Sequence, residues 1–126
     1  MKPLKLKNLI IGNGIPKICV PIVASSKEEL HKELTQYKDH TNIDLIEWRG
    51  DYLPEAGNLE FMIDLAKEIR HALPDFPLLF TFRTKKEGGE QEITFSEYQK
   101  LNLTLAQSNL VDIIDLELFC TTNTEE

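Results

Sequence analysis

Residues 43–51 read Ile43-Asp44-Leu45-Ile46-Glu47-Trp48-Arg49-Gly50-Asp51, and the order of apolar and charged side chains in this stretch decides the fold. Side chains on a strand alternate between faces, so Ile43, Leu45, Glu47, Arg49 and Asp51 share one face. Ile46 and Trp48 take the other, which makes Trp48 a packing residue beneath a helix. The apolar residues lead and the ionisable ones follow at the carboxyl end. Two further runs repeat the pattern. Over 77–83, Leu79, Thr81 and Arg83 share a face; over 111–119, Val111, Ile113, Asp115, Glu117 and Phe119 do.

A fourth apolar run, 18–23, precedes these three, so strands start near 18, 43, 77 and 111, separated by 25, 34 and 34 residues. Helix signals fill the gaps. Ser25-Ser26-Lys27-Glu28-Glu29 contains two overlapping capping boxes, followed by an apolar stripe of Leu30, Leu34 and Tyr37. Phe61, Leu65, Ile69 and Leu73 mark a helix over 58–73. Thr94 with Glu97 opens a third, whose buried side continues through Leu101, Leu105 and Ser108. The order is βαβαβαβ, with crossovers long enough for right-handed connections between parallel strands.

A parallel sheet wants both faces covered. An open doubly wound sheet and a (β/α)₈ barrel both achieve this, but a barrel needs roughly 250 residues. With 126 residues and four strands, this chain would be half of one. We read 1–126 as a single region: an N-terminal hairpin over 1–16, four strands with three helices over 17–119, and a frayed polar tail over 120–126. The hairpin rests on the Leu/Lys alternation of 4–7 and the turn signal Gly12-Asn13-Gly14.

The balance of 14 Lys+Arg against 21 Asp+Glu, a net charge of -7, disfavours a nucleic-acid surface and a polybasic membrane patch. No run approaches the ~20 apolar residues of a membrane span, and the basic N-terminus lacks the apolar segment of a signal peptide. Cys19 and Cys120 read as two buried free thiols, and the chain reads as cytoplasmic.

Parallel α/β sheets bind ligands at the carboxyl ends of their strands, where the charges gather here. Arg49 and Arg83 offer planar donors to a carboxylate or to hydroxyl and carbonyl oxygens, and Glu47 can accept from hydroxyls. Pattern alone also admits a structural salt-bridge layer of Glu47, Arg49, Arg83, Asp115 and Glu117, and both readings stay open. Glu87, Lys85 and Lys86 read as solvated loop residues beside Gly88-Gly89. His31, His40 and His71 fall on helices or their ends without metal-ligand spacing. Gly12-Asn13-Gly14 lacks the remainder of a dinucleotide fingerprint.

Three strings in register carry a resemblance: Glu47-Trp48-Arg49-Gly50-Asp51; Leu79-Phe80-Thr81-Phe82-Arg83-Thr84 with Glu87-Gly88-Gly89-Glu90; and Ile114-Asp115-Leu116-Glu117-Leu118-Phe119. Together with 12–17 near the start, they resemble the type I 3-dehydroquinate dehydratases of the shikimate pathway. The resemblance implies a (β/α)₈ barrel, commonly a homodimer, with an N-terminal hairpin closing its base. It implies a cytoplasmic lyase of aromatic amino-acid biosynthesis that converts 3-dehydroquinate to 3-dehydroshikimate and water. The reaction runs through an imine on a lysine, with a histidine as general acid and base and no metal or organic cofactor. The imine acidifies the neighbouring C–H and provides an electron sink.

Carried over by position, Glu47, Arg49 and Arg83 match substrate-holding residues, and Glu87 matches the acid that orients the catalytic histidine. Trp48, Asp51, Asp115 and Glu117 fall to a supporting layer. Two departures stand out. The family's catalytic histidine, imine-forming lysine and closing loop belong to later strands, past residue 126. Pro21 stands where some members carry a substrate-touching serine, and proline offers only its carbonyl. The expectation is therefore strands one to four of a barrel, inactive alone, with two raw sheet edges that drive association with itself or with a complementary half. Two rivals remain. One is a non-catalytic polyol- or carboxylate-binding or assembly module derived from that fold, and the other a small α/β enzyme using Lys85 or Lys86.

Overall fold

The computed structural model describes residues 2–12, 14–40 and 42–118. Strands β1 (Leu4–Leu6) and β2 (Leu9–Ile11) form an antiparallel hairpin with Leu6 opposite Leu9. The hairpin turns at Lys7-Asn8, with Lys7 at φ 53°, and not at the glycines. Gly12 and Gly14 instead carry positive φ in the segment that leaves it.

A four-stranded sheet follows, made of β3 (Cys19–Ile22), β4 (Leu45–Arg49), β5 (Leu78–Thr81) and β6 (Ile113–Asp115). Its order is β3-β4-β5-β6 and every pair is parallel. The strands are shorter than the apolar runs that announce them. Asp51 lies in a single 3₁₀ turn, Gly50–Tyr52, that ends β4, and Arg83 lies two residues beyond β5. Phe119 and Cys120 lie outside the described residues.

The crossovers are α1 (Lys27–Tyr37), α2 (Leu59–Ala72) and α3 (Phe95–Gln107). Each begins at a side-chain cap. The two overlapping boxes before α1 resolve into one cap: Ser26 Oγ accepts from the Glu29 N–H, while Glu29 Oε1 accepts from both the N–H and the hydroxyl of Ser25. Asn58 caps α2, and Thr94 with Glu97 forms a complete capping box on α3.

All three helices cover the same side of the sheet. Ile22, Ile46, Trp48, Leu78 and Phe80 face them and pack on Leu30, Met62, Leu65, Ile69, Leu101 and Leu105. Trp48 meets Phe80 edge-to-face at 5.0 Å, as its place beneath a helix requires. The alternate residues Cys19, Pro21, Glu47, Leu79 and Ile113 lie on the other side and are not buried, while Leu45 and Thr81 on that side are. Cys19 is therefore an exposed thiol, not a buried one, because no layer of the described residues covers that face.

Below the sheet, Arg70 holds the start of β6. Its guanidinium donates to the carbonyl of Phe76 (2.8 Å), to that of Leu110 (2.9 Å) and to Asp112 Oδ2 (2.8 Å), which also accepts from the Leu78 N–H.

Above the sheet, Gly50 lies against the core. A Cβ on it would sit 2.7 and 2.8 Å from the Phe80 ring and 3.1 Å from Met62 Cε. Gly50→Ala should therefore cost about 1–3 kcal/mol by overpacking. Urea denaturation followed by tryptophan fluorescence would read this, and an unchanged midpoint would refute the tight contact.

Candidate functional site

The register sets the rows of the open face. Glu47 lies between Pro21 and Leu79, and one step further along Arg49, Thr81 and Asp115 are paired in line across β4, β5 and β6. These are the last residues of their strands, so the charged groups gather at the carboxyl ends as the sequence pattern requires.

Arg49 donates through Nε to Asp51 Oδ1 and through an Nη to Asp51 Oδ2, both at 2.9 Å, in the fork geometry that suits guanidinium and carboxylate. Tyr52 lies under the same guanidinium at 5.2 Å. The Asp51 side chain is fully buried, and its oxygens also accept the backbone N–H of Arg83 and of Glu90, each at 3.1 Å. Burial pushes the Asp51 carboxyl up. The hydrogen bonds from Arg49, Arg83 and Glu90 and the Arg49 charge outweigh it, and hold the group below the usual aspartate range.

Arg83 bridges the two acids of the last strand, donating to Asp115 Oδ2 at 2.7 Å and to Glu117 Oε2 at 3.1 Å. Burial works against its charge, but these two carboxylates more than compensate and raise its pKa. Glu117 does not stay on the open face. Its buried carboxylate turns back to accept the N–H (2.9 Å) and hydroxyl (2.7 Å) of Thr84, and its own N–H donates to the Tyr98 hydroxyl at 2.8 Å.

Of the predicted residues, Arg49, Asp51, Arg83, Asp115 and Glu117 thus form one network with Thr84. The salt-bridge layer exists, and it does not exhaust the arginines. A guanidinium has five N–H donors. Arg49 uses two and Arg83 two on their acids, so each keeps three for a ligand while its orientation is fixed. Glu47 is half-buried beside them, and its carboxylate makes no hydrogen bond or ion pair with another described residue. Its charge, after partial burial, raises the Cys19 thiol pKa.

Glu87 stands apart, exposed on a 3₁₀ turn of Lys85–Glu87. The loop around it is tightly built. Gly88 closes that turn at φ +96°, and a Cβ on Gly89 would overlap the Arg83 carbonyl. Gln91 Nε2 donates to the carbonyls of Asp51 and Leu53, tying the loop to the turn after β4. Gln91, Thr84 and Tyr98 carry no pattern that singles them out, because these partners are 19–40 residues away in ordinary polar or apolar context. Thr81 is legible in the sequence only as a strand residue; its hydroxyl is buried in the arginine row and has no partner among the described residues.

His31 and His71 lie on the outer surfaces of α1 and α2, where His31 and Lys27 pair with Glu68. His40 follows the end of α1.

The network makes a pH prediction. A carboxyl held low contributes stability above its unfolded pKa (about 3.9) and loses it as pH falls through the folded one. Asp51→Asn should cost about 3 kcal/mol at pH 7, because it removes the charge paired with a partly buried guanidinium and puts an NH2 donor where one of the two acceptor oxygens was. That cost should shrink on acidification. Urea midpoints measured between pH 7 and pH 3 check it, and parallel curves for both proteins would contradict the network.

The family model for type I 3-dehydroquinase matches residues 18–126. The 3-dehydroquinate dehydratase of Clostridium botulinum strain Eklund 17B is 47% identical over 116 residues, 92% of this chain and 45% of that protein. The Shigella dysenteriae enzyme of the same name is 44% identical over 94% of this chain and 47% of its own length. Among solved structures, the type I 3-dehydroquinate dehydratase of Clostridium difficile with covalent modified comenic acid superposes with a TM-score of 0.91 and 42% identity, over 94% of this chain and 47% of that one. The Enterococcus faecalis 3-dehydroquinate dehydratase gives 0.88 and 39%, over 94% and 49%. The chain spans about half the length of the relatives it matches.

Proposed function

The chain belongs to the type I 3-dehydroquinase family, and from that premise we propose that it forms one half of the substrate shell of a 3-dehydroquinate dehydratase. The observation that carries this reading is the pair of guanidiniums fixed by Asp51, Asp115 and Glu117 at the strand ends, with donors to spare beside an unengaged Glu47 carboxylate. A cyclic polyol carboxylate needs such a surface. Arginines take its carboxylate or carbonyl oxygens, and Glu47 takes its hydroxyl protons. Rigid acids behind the arginines keep those donors in place when the ligand is absent, so little ordering is left for binding to accomplish.

The reaction eliminates water from 3-dehydroquinate. An imine between the substrate ketone and a lysine acidifies the adjacent C–H, a histidine removes that proton, and the hydroxyl departs as water after protonation. In this reading neither catalytic group is among the 126 residues. The histidines lie on or beside helices, and Lys85 and Lys86 are exposed beyond the arginine row. Glu87 is the acid on the loop rim that orients the histidine once it arrives. The working enzyme is a closed barrel, paired as a homodimer in the cytoplasm, and the chain alone is inactive. The rival binding-module reading predicts a site that holds 3-dehydroquinate without turning it over.

A single polypeptide tests this: the whole chain followed by the part of the Clostridium botulinum relative that lies beyond the match. It should produce the ultraviolet absorbance of the conjugated enone from 3-dehydroquinate, and the chain alone should not. In the fused protein, Arg83→Ala and Glu47→Gln should each lower kcat/KM by about 10–100-fold, the scale of a hydrogen bond to a charged group. An inactive fusion beside an active intact relative would sink the reading. So would turnover by the chain alone with borohydride trapping of substrate on Lys85 or Lys86.

A further inference from the structure

The loop over 84–91 leaves β5 just past Arg83 and carries Glu87 on its exposed turn. It is closed on itself at the base. Thr84 bridges Gln91, the Lys85 N–H donates to the Gln91 carbonyl at 3.0 Å, and the Thr84 carbonyl accepts from the N–H of Glu87 (2.9 Å) and of Gly89 (2.8 Å). The base is also tied from outside. Asp51 accepts the N–H of Arg83 and of Glu90, Glu117 accepts both donors of Thr84, and the Gln91 amide donates to the carbonyls of Asp51 (3.0 Å) and Leu53 (2.7 Å).

The same carboxylate oxygens hold the arginines. Asp51 Oδ1 takes Arg49 Nε and the Arg83 N–H, while Asp51 Oδ2 takes an Arg49 Nη and the Glu90 N–H. Glu117 Oε2 takes an Arg83 Nη and the Thr84 N–H. Each of these oxygens thus serves one guanidinium and one backbone group at the foot of the loop, which occupies both of its lone pairs. A shift of the loop costs an arginine part of its anchor, so loop and arginine row hold one register. A loop that only connects β5 to α3 gains nothing from this. One that carries a group toward a ligand does.

Gln91 is the tie that can be read separately. Asp51 and Glu117 each bind an arginine, whereas the Gln91 amide nitrogen donates to main-chain carbonyls of the turn after β4. It references the loop to β4 as well as to β5, the strand that the loop leaves.

We propose that Gln91 is a positioning residue for Glu87: it fixes the loop against the turn after β4 and so sets the Glu87 carboxylate at a constant place relative to the arginine row. The part that Glu87 takes in the reaction rests on the proposed function above, and the clamp itself does not. Gln91 acts through Glu87, so its loss displaces the acid without altering Arg49 or Arg83. Turnover suffers and substrate binding does not.

The test uses Gln91→Met, which keeps the length of the side chain and removes both donors. In the chain itself, amide exchange over 85–90 should quicken about tenfold, the scale of two hydrogen bonds, with α2 unchanged. In the fused polypeptide, kcat should fall about tenfold while KM stays within about twofold, since a misplacement of about 1 Å at a reaction can cost about 100-fold. On a Glu87→Gln background, Gln91→Met should cost nothing further, because residues that act through one group are not additive. Gly89→Ala displaces the same loop from its base, where a Cβ would lie 1.7 Å from the Arg83 carbonyl oxygen, and should reproduce the loss if Gln91→Met does not fold. Glu92→Gln, one residue along and exposed, should leave exchange and kcat unchanged.

Unchanged exchange over 85–90 overturns the clamp. An unaltered kcat, a loss that falls on KM, or an effect of Gln91→Met that persists without the Glu87 carboxylate overturns the positioning role and leaves the activity standing. A fused polypeptide inactive from the start sinks the proposed function instead, and exchange in the chain still decides whether Gln91 holds the loop.

Discussion

The Asp51 carboxylate is the constraint around which the upper end of the molecule is arranged. It is buried, so its charge must be compensated on every side. Compensation comes from three places in the chain: the Arg49 guanidinium two residues back, and the N–H groups of Arg83 and Glu90, which arrive on the loop after β5. One acid therefore aligns a side chain on β4 with the backbone of the next strand's exit. Gln91 completes the connection by donating to the carbonyls of Asp51 and Leu53. Once the Arg83 backbone is fixed, its side chain reaches Asp115 and Glu117, which carries the same positional information to β6 and, through Tyr98, to α3.

This arrangement explains how charged groups can occupy strand ends without destabilising the sheet. Asp51, Asp115 and Glu117 each have at least one guanidinium or N–H partner, and each arginine has more donors than these acids consume. The surplus is directed rather than free, because the bidentate and bridging contacts remove the rotamer freedom of long side chains. An arrangement built this way presents fixed donors at the spacing of planar or closely spaced oxygens.

The sequence made the strands, helices and polar ends legible because their signals are local. Alternation placed Trp48 beneath a helix, the Thr94–Glu97 box placed the start of α3, and the order of apolar and charged residues placed Arg49 and Asp115 at strand ends. What it hid is non-local or decided by competition. Glu117 shares parity with Asp115 yet leaves the open face, because Thr84 offers it two donors. The hairpin turns at Lys7-Asn8 although Gly12 and Gly14 hold the stronger turn chemistry, since the pairing of Leu4 with Ile11 uses up the intervening residues. Burial of Cys19 was inferred from an apolar run, and the strand's outward parity overrode it. The Gly88-Gly89 pair marks a tight loop, where the Arg83 carbonyl leaves no room for a side chain.

The open face of the sheet divides along the strand direction. Nearest the amino ends it presents Cys19 beside Leu45, then a row of Pro21, Glu47, Leu79 and Ile113, and at the carboxyl ends Arg49, Thr81 and Asp115. Apart from Glu47 and the Cys19 thiol, the first two rows are apolar, so apolar packing from another layer improves most of that area. The last row holds fixed donors beside the unengaged Glu47 carboxylate, so a polar ligand improves it. On the proposed function, assembly and substrate recognition use adjacent zones of one surface. The side chains that close the lower zone also form the floor on which a ligand would rest. On the same proposal, a layer laid over this face lowers the polarity around Glu47 and the two arginines, and their hydrogen bonds to a ligand gain strength. Closing the fold and sharpening the site are, in this architecture, one physical event.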